Sequence, residues 1–80
     1  MSIYNDFYRN LASTIRFHRK KSGLSQQELA RLAGIGKTAV FDMEHAKTTI
    51  QMDTFIKILN VLNIKMELRS PLLKPERNEE

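Results

Sequence analysis

At 80 residues with a formal net charge of +4, the chain is expected to form one domain with a small core, one that dimerisation would help to stabilise. It has no cysteine, which excludes disulfides and thiolate metal sites, no apolar run long enough to span a bilayer, and a start (Met1-Ser2-Ile3-Tyr4-Asn5-Asp6) that does not read as a signal peptide. Residues 1–70 hold eleven Lys/Arg against six Asp/Glu (+5) and residues 71–80 two against three (−1), a balance that fits a polyanion partner without requiring one.

A first helix is predicted to begin after Ser2 or Asn5 and to end near Ser22. Ile3, Phe7, Leu11 and Ile15 recur every four residues, with Ala12 beside them, and form its apolar stripe. Arg16, Arg19, Lys20 and Lys21 load its last turns with positive charge, which suits a helix C-terminus, and Gly23 is the natural residue to end it.

Residues 24–47 then read as two short helices joined by a tight turn. Ser25 is a good N-cap, and Glu28 three residues on completes a capping box. Leu29, Ala30 and Leu32 give a helical apolar pattern. Gly34 can take positive φ and end this second helix, and Gly36 can cap the third, expected from Lys37 to Glu44. There Ala39, Val40 and Met43 face inward, leaving Lys37, Thr38, Phe41 and Asp42 outside. Two helices with a glycine-containing turn are the signature of a helix-turn-helix.

A fourth helix is expected from about Met52 to Leu62, with Phe55, Ile58, Leu59 and Leu62 as its apolar stripe. The period then changes. Ile64-Lys65-Met66-Glu67-Leu68-Arg69 alternates apolar and charged residues, the mark of a half-buried strand. A lone strand leaves its N–H and C=O groups unpaired, so the pattern calls for the same strand from a second copy, antiparallel about a two-fold axis, with Ile64, Met66 and Leu68 on one face. Pro71 stops the strand, and the charged, Pro-containing segment 71–80 is expected to be a disordered tail.

No catalytic constellation is present: there is no Gly-rich phosphate loop, no paired carboxylates and no Ser/His/Asp arrangement at a plausible spacing. His18 and His45 lie far apart, without ligands at metal spacing. An enzyme, a metal site and a cofactor are therefore not expected.

Gln26-Gln27-Glu28-Leu29-Ala30, Ala33-Gly34-Ile35, Glu44 and the run from Asp53 to Leu59 together resemble the Cro/C1-type (XRE) family of DNA-binding domains, over residues 11–63 and without gaps. The strand-like segment 64–69 narrows the resemblance to HipB-like antitoxins. What this implies is an all-α, lambda-repressor-like bundle of four to five helices, with one C-terminal β-strand paired across a homodimer. Its third helix would enter the DNA major groove. The resemblance implies that Arg19 pairs with Glu44 to lock the first helix to the third, and that Gln26 contacts phosphate. Gln27 shares that helix N-terminus, where free N–H groups favour phosphate oxygens. Lys37 and Thr38 match positions that touch bases or backbone in relatives. Phe41 stands where relatives carry a small polar residue. It contacts a thymine methyl or wedges at a flexible step, or else it packs on protein. Asp42 is unusual for a groove and is not expected to contact a base. Relatives have Asn-Gly where this chain has His45-Ala46, so the third helix is expected to end differently. Lys47 lies in a polar loop that would touch the DNA backbone.

The expected partners are double-stranded DNA with a palindromic operator, a second copy of the chain and, by resemblance to HipB, a HipA-like kinase toxin. The expected location is the bacterial cytoplasm, at the nucleoid, with no membrane partner. A stand-alone repressor, such as a restriction-modification controller or phage-type regulator, would need only the DNA function. A protein-interaction module without DNA binding is the third reading.

Overall fold

The computed structural model describes residues 3–72, with the side chains of Ile3 and Tyr4 left aside. They form four helices: α1 (Ile3–Lys21), α2 (Gln26–Ala33), α3 (Lys37–Glu44) and α4 (Met52–Leu62). Of the expected tail, 71–72 form an exposed turn, and 73–80 lie outside the described residues.

The elements form where the sequence supplies their ends. Ser25 Oγ accepts from the Glu28 backbone N–H at 3.0 Å, and Ser25 N–H donates to Glu28 Oε1 at 2.7 Å, the reciprocal bonds of a capping box. All four helices close in one way. The backbone N–H groups of Leu24, Ile35, Lys47 and Ile64 donate to the carbonyls of Arg19, Ala30, Asp42 and Leu59, each five residues back. The residue before each is left-handed: Gly23 (φ 75), Gly34 (φ 72), Ala46 (φ 61) and Asn63 (φ 58). This is the Schellman ending, whose usual companion is an apolar contact from the residue after the left-handed one. Leu24, Ile35 and Ile64 supply it by packing on the core. In α3 that position is Lys47, and its ammonium meets Asp42 Oδ2 at 3.4 Å instead. The expectation for Ala46 is thereby corrected. It adopts the conformation glycine would take, and the backbone bond to Asp42 holds it there.

The core is one cluster in which Ile15, Leu29, Val40, Met43 and Ile58 are fully enclosed, closed by Ala30, Phe55, Leu59 and Leu62. α2 packs on α3 and α4, and α1 crosses both α3 and α4. Leu32, counted with the apolar pattern of α2, is instead 51% exposed. The inward face of that short helix is Gln26, Leu29, Ala30 and Ala33, an i, i+3, i+4, i+7 set that Leu32 falls outside.

The alternating segment is not a strand in the single chain. Residues 64–70 have no regular secondary structure, and no strand occurs among the described residues to pair with them. Ile64 packs on the core, and Met66 closes an apolar groove of about 180 Å³ with Phe7, Leu11, Phe55 and Leu59. Leu68 projects, 84% exposed. No helix is long and apolar enough to cross a membrane, and no cluster of metal-ligating side chains occurs, both among the described residues.

Candidate nucleic-acid interface

The outer face of α3 is built by spacing. Phe41 lies four residues after Lys37 and three after Thr38, and His45 four after Phe41, so the four share one side of the helix, opposite Val40 and Met43. All four are exposed. Gly36 caps α3 with no side-chain bond, and the first turn holds no acidic residue, so nothing negative guards that end. Phe41 is 47% exposed, and its ring lies on His45, with centroids 3.8 Å apart and planes 20° from parallel. Asp42, half-buried, turns away to Lys47. Gln27 is exposed in the first turn of α2.

Behind this face the helix is anchored. Arg19 Nε donates to Glu44 Oε2 at 2.6 Å, and Nη2 to Oε1 at 2.9 Å, the two-pronged geometry that a guanidinium and a carboxylate favour. Both residues are buried. Arg19 Nη1 donates to the Leu24 carbonyl, Arg16 Nη1 to the Glu44 carbonyl at 3.1 Å, and Gln26 Nε2 to Glu44 Oε1 at 3.1 Å. Burial pushes the Glu44 carboxyl up. Hydrogen bonds from Arg19 and Gln26 and the charges of Arg19 and Arg16 outweigh it, holding Glu44 below the usual carboxylate range. The same hydrogen bond, donated to Glu44, raises Arg19 further, against its own burial. No buried side-chain polar atom is left without a partner among the described residues.

The pairing of Arg19 with Glu44 is therefore present as the resemblance implied. Gln26, for which the resemblance implies a phosphate contact, donates one amide hydrogen to Glu44 Oε1. Gln27, Lys37, Thr38, Phe41 and Lys47 all lie at the surface, while Ile64, Met66 and Leu68 lie along the C-terminal segment. Two neighbours of this face carry no clear signal in the sequence: Arg16 reads as part of the charged helix end, and His45 as a histidine without metal-ligand spacing. A fainter signal, the spacing of four from Phe41 and eight from Lys37, points to His45.

The helix-turn-helix family model matches residues 15–68. The chain is 31% identical over 62 residues to the uncharacterized HTH-type transcriptional regulator y4mF of Sinorhizobium fredii, covering 78% of this chain and 82% of that protein. It is 33% identical over 58 residues to antitoxin HipB of Escherichia coli K12, covering 72% of this chain and 66% of HipB, so it spans just under two thirds of that relative. Control protein C.SmaI of Serratia marcescens is 28% identical over 60 residues, covering 75% and 71%. A chain of the solved HipA-HipB-O2-O3 complex superposes with a TM-score of 0.72 at 30% identity, covering 80% of this chain and 90% of that one.

Proposed function

The chain belongs to the helix-turn-helix family of the Cro/C1 type, a family of transcriptional regulators, and from that premise we propose that it is a sequence-specific repressor and the autoregulating antitoxin of a HipBA-like operon. The observation that carries the DNA-binding part is the exposed face of α3, with Lys37, Thr38 and Phe41 outward and Glu44 clamped from behind by Arg19. A helix that inserts into a groove must not roll when its contacts form, and the clamp removes that freedom. Lysine donates to guanine O6 and N7 or to phosphate, threonine offers a hydroxyl and a methyl, and Phe41 offers apolar surface to a thymine methyl. Gln26, Gln27 and Lys47 fix the backbone on either side, Gln26 through the amide hydrogen that Glu44 does not take.

A homodimer joined through residues 64–70 sets two copies of α3 about 34 Å apart, in successive major grooves of a palindrome. Bound over a promoter, it excludes polymerase. In this reading the protein acts by binding alone, without catalysis or cofactor, at the nucleoid in the bacterial cytoplasm. The likeness to HipB, in sequence and in the HipA-HipB complex, supports a HipA-like kinase toxin as its protein partner. The likeness to C.SmaI favours a second reading, a stand-alone controller with the same DNA chemistry and no toxin.

The test is salt-dependent binding to the DNA upstream of its own gene. If each subunit neutralises about three or four phosphates, log K falls against log salt with a slope of roughly −5 to −7. Lys37→Ala, at an exposed position, leaves the fold intact and weakens binding by about 10-fold or more per half-site. Weak binding to all duplexes alike, unmoved by Lys37→Ala, sinks the repressor reading. Co-purification with a kinase-like neighbour's product separates antitoxin from controller.

A further inference from the structure

The α3 face carries one arrangement that the repressor reading leaves unused. His45 stands one turn beyond Phe41, and the two rings stack at 3.8 Å. His45 Nδ1 also donates to the Phe41 carbonyl at 2.8 Å. That carbonyl is available because the His45 backbone N–H goes to Asp42 instead, as the helix tightens at its end. The bond has a chemical consequence. A carbonyl only accepts, so the proton sits on Nδ1, and Nε2 of the neutral ring keeps its lone pair. The stack therefore presents two different groups side by side: an apolar aromatic edge and a hydrogen-bond acceptor.

The rings are separated by nearly the rise between successive base pairs, about 3.4 Å. In the major groove the apolar group is the thymine methyl, and the donors are the amino groups of adenine N6 and cytosine N4. Resting on the DNA-binding reading, we propose that Phe41 and His45 form one reading unit for a two-base step. Phe41 takes the methyl of a thymine, and His45 Nε2 accepts from the amino group of a neighbouring adenine or cytosine. Guanine O6 or thymine O4 at that neighbour sets acceptor against acceptor and is rejected. The stack also holds Phe41 in one rotamer, so His45 positions the phenyl ring as well as reading its own base.

The experiment is selection of binding duplexes from a random library in mildly alkaline buffer. It compares wild type with His45→Phe, His45→Ala and Phe41→Ala, with thermal melts confirming that each variant folds. Wild type enriches a motif with thymine beside adenine or cytosine. His45→Phe keeps an aromatic stack but has no acceptor, so it retains the thymine and loses the amino-base preference. His45→Ala loosens both positions, and Phe41→Ala loses the thymine. On the enriched duplex, uracil in place of the thymine weakens wild type about 3- to 5-fold and leaves Phe41→Ala within about twofold. Guanine or thymine in place of the amino base weakens wild type roughly 5- to 100-fold and His45→Phe hardly at all. An enriched motif that is identical for wild type and both His45 variants overturns the inference while DNA reading stands. No enriched motif for wild type overturns both.

Discussion

Glu44 is the residue whose chemistry most constrains the rest. Its carboxylate receives Arg19 and Gln26, and its carbonyl receives Arg16, so α1 and α2 both bond to the last turn of α3. Removing one charge from a buried pair leaves the other desolvated and alone, which costs about 3–5 kcal/mol. Glu44→Gln is expected to lose that amount in urea unfolding, a large share of the roughly 5–15 kcal/mol of a native domain. The pH dependence follows from the depressed carboxyl. Stability from the pair is fully present above the unfolded value, about 4.3, and drains away as pH falls through the lower folded value. The stability of Glu44→Gln should therefore be flatter than wild type across that acid window, and parallel acid curves would show that the pair is not the source. The sequence disclosed this cluster only in part. Arg19 continues the four-residue stripe of Ile3, Phe7, Leu11 and Ile15, but its charge disguises the position, and family resemblance was needed to pair it. Gln26 occupies the first inward position of α2, and nothing in a glutamine says that its partner is a buried carboxylate rather than phosphate.

The four helix ends show what local sequence can and cannot disclose about an element. Gly23 and Gly34 announced their left-handed turns, because glycine alone adopts them without penalty. Ala46 and Asn63 take the same conformation (φ 61 and 58) without that signal. For Asn63 the following Ile64 is drawn into the core, which a one-dimensional pattern does not reveal. For Ala46 the pull is the Asp42 carbonyl on the Lys47 N–H, assisted by the Asp42–Lys47 ion pair. A β-carbon in the left-handed region costs about 1–2 kcal/mol, and glycine returns part of this through its freer unfolded chain. Ala46→Gly should therefore stabilise the domain by up to about 1 kcal/mol, measured as a higher urea midpoint at unchanged slope. A loss of stability would mean that the alanine methyl, half-buried here, packs better than its backbone is strained. The change also carries a functional reading. If the strained turn aims Lys47, DNA affinity falls slightly as stability rises.

At the scale of the whole molecule the unresolved demand is the C-terminal segment. Ile64 is spent on the core and Met66 on the groove beside Phe7, but Leu68 has no cover within the described chain. Its alternation was legible in the sequence, whereas its partner was not, since in the proposed dimer the strand that would complete a ladder belongs to a second copy. The single chain accordingly shows residues 64–70 without regular structure. Pairing two such segments would satisfy their backbone groups and cover both leucines in one step, which is the argument for the dimer. Leu68→Glu tests it, because position 68 lies outside the four-helix core and carries little of the fold. Wild type is expected to sediment as a dimer and to melt at a temperature that rises with protein concentration. Leu68→Glu should keep its helical circular dichroism, melt independently of concentration and sediment as a monomer. Its affinity for a palindrome should fall to that of a half-site, because the second recognition helix is no longer tethered at the matching distance. A Leu68→Glu protein that stays dimeric would move the interface to another surface, for which the half-exposed Ile56 and Met52 of α4 are the first alternative.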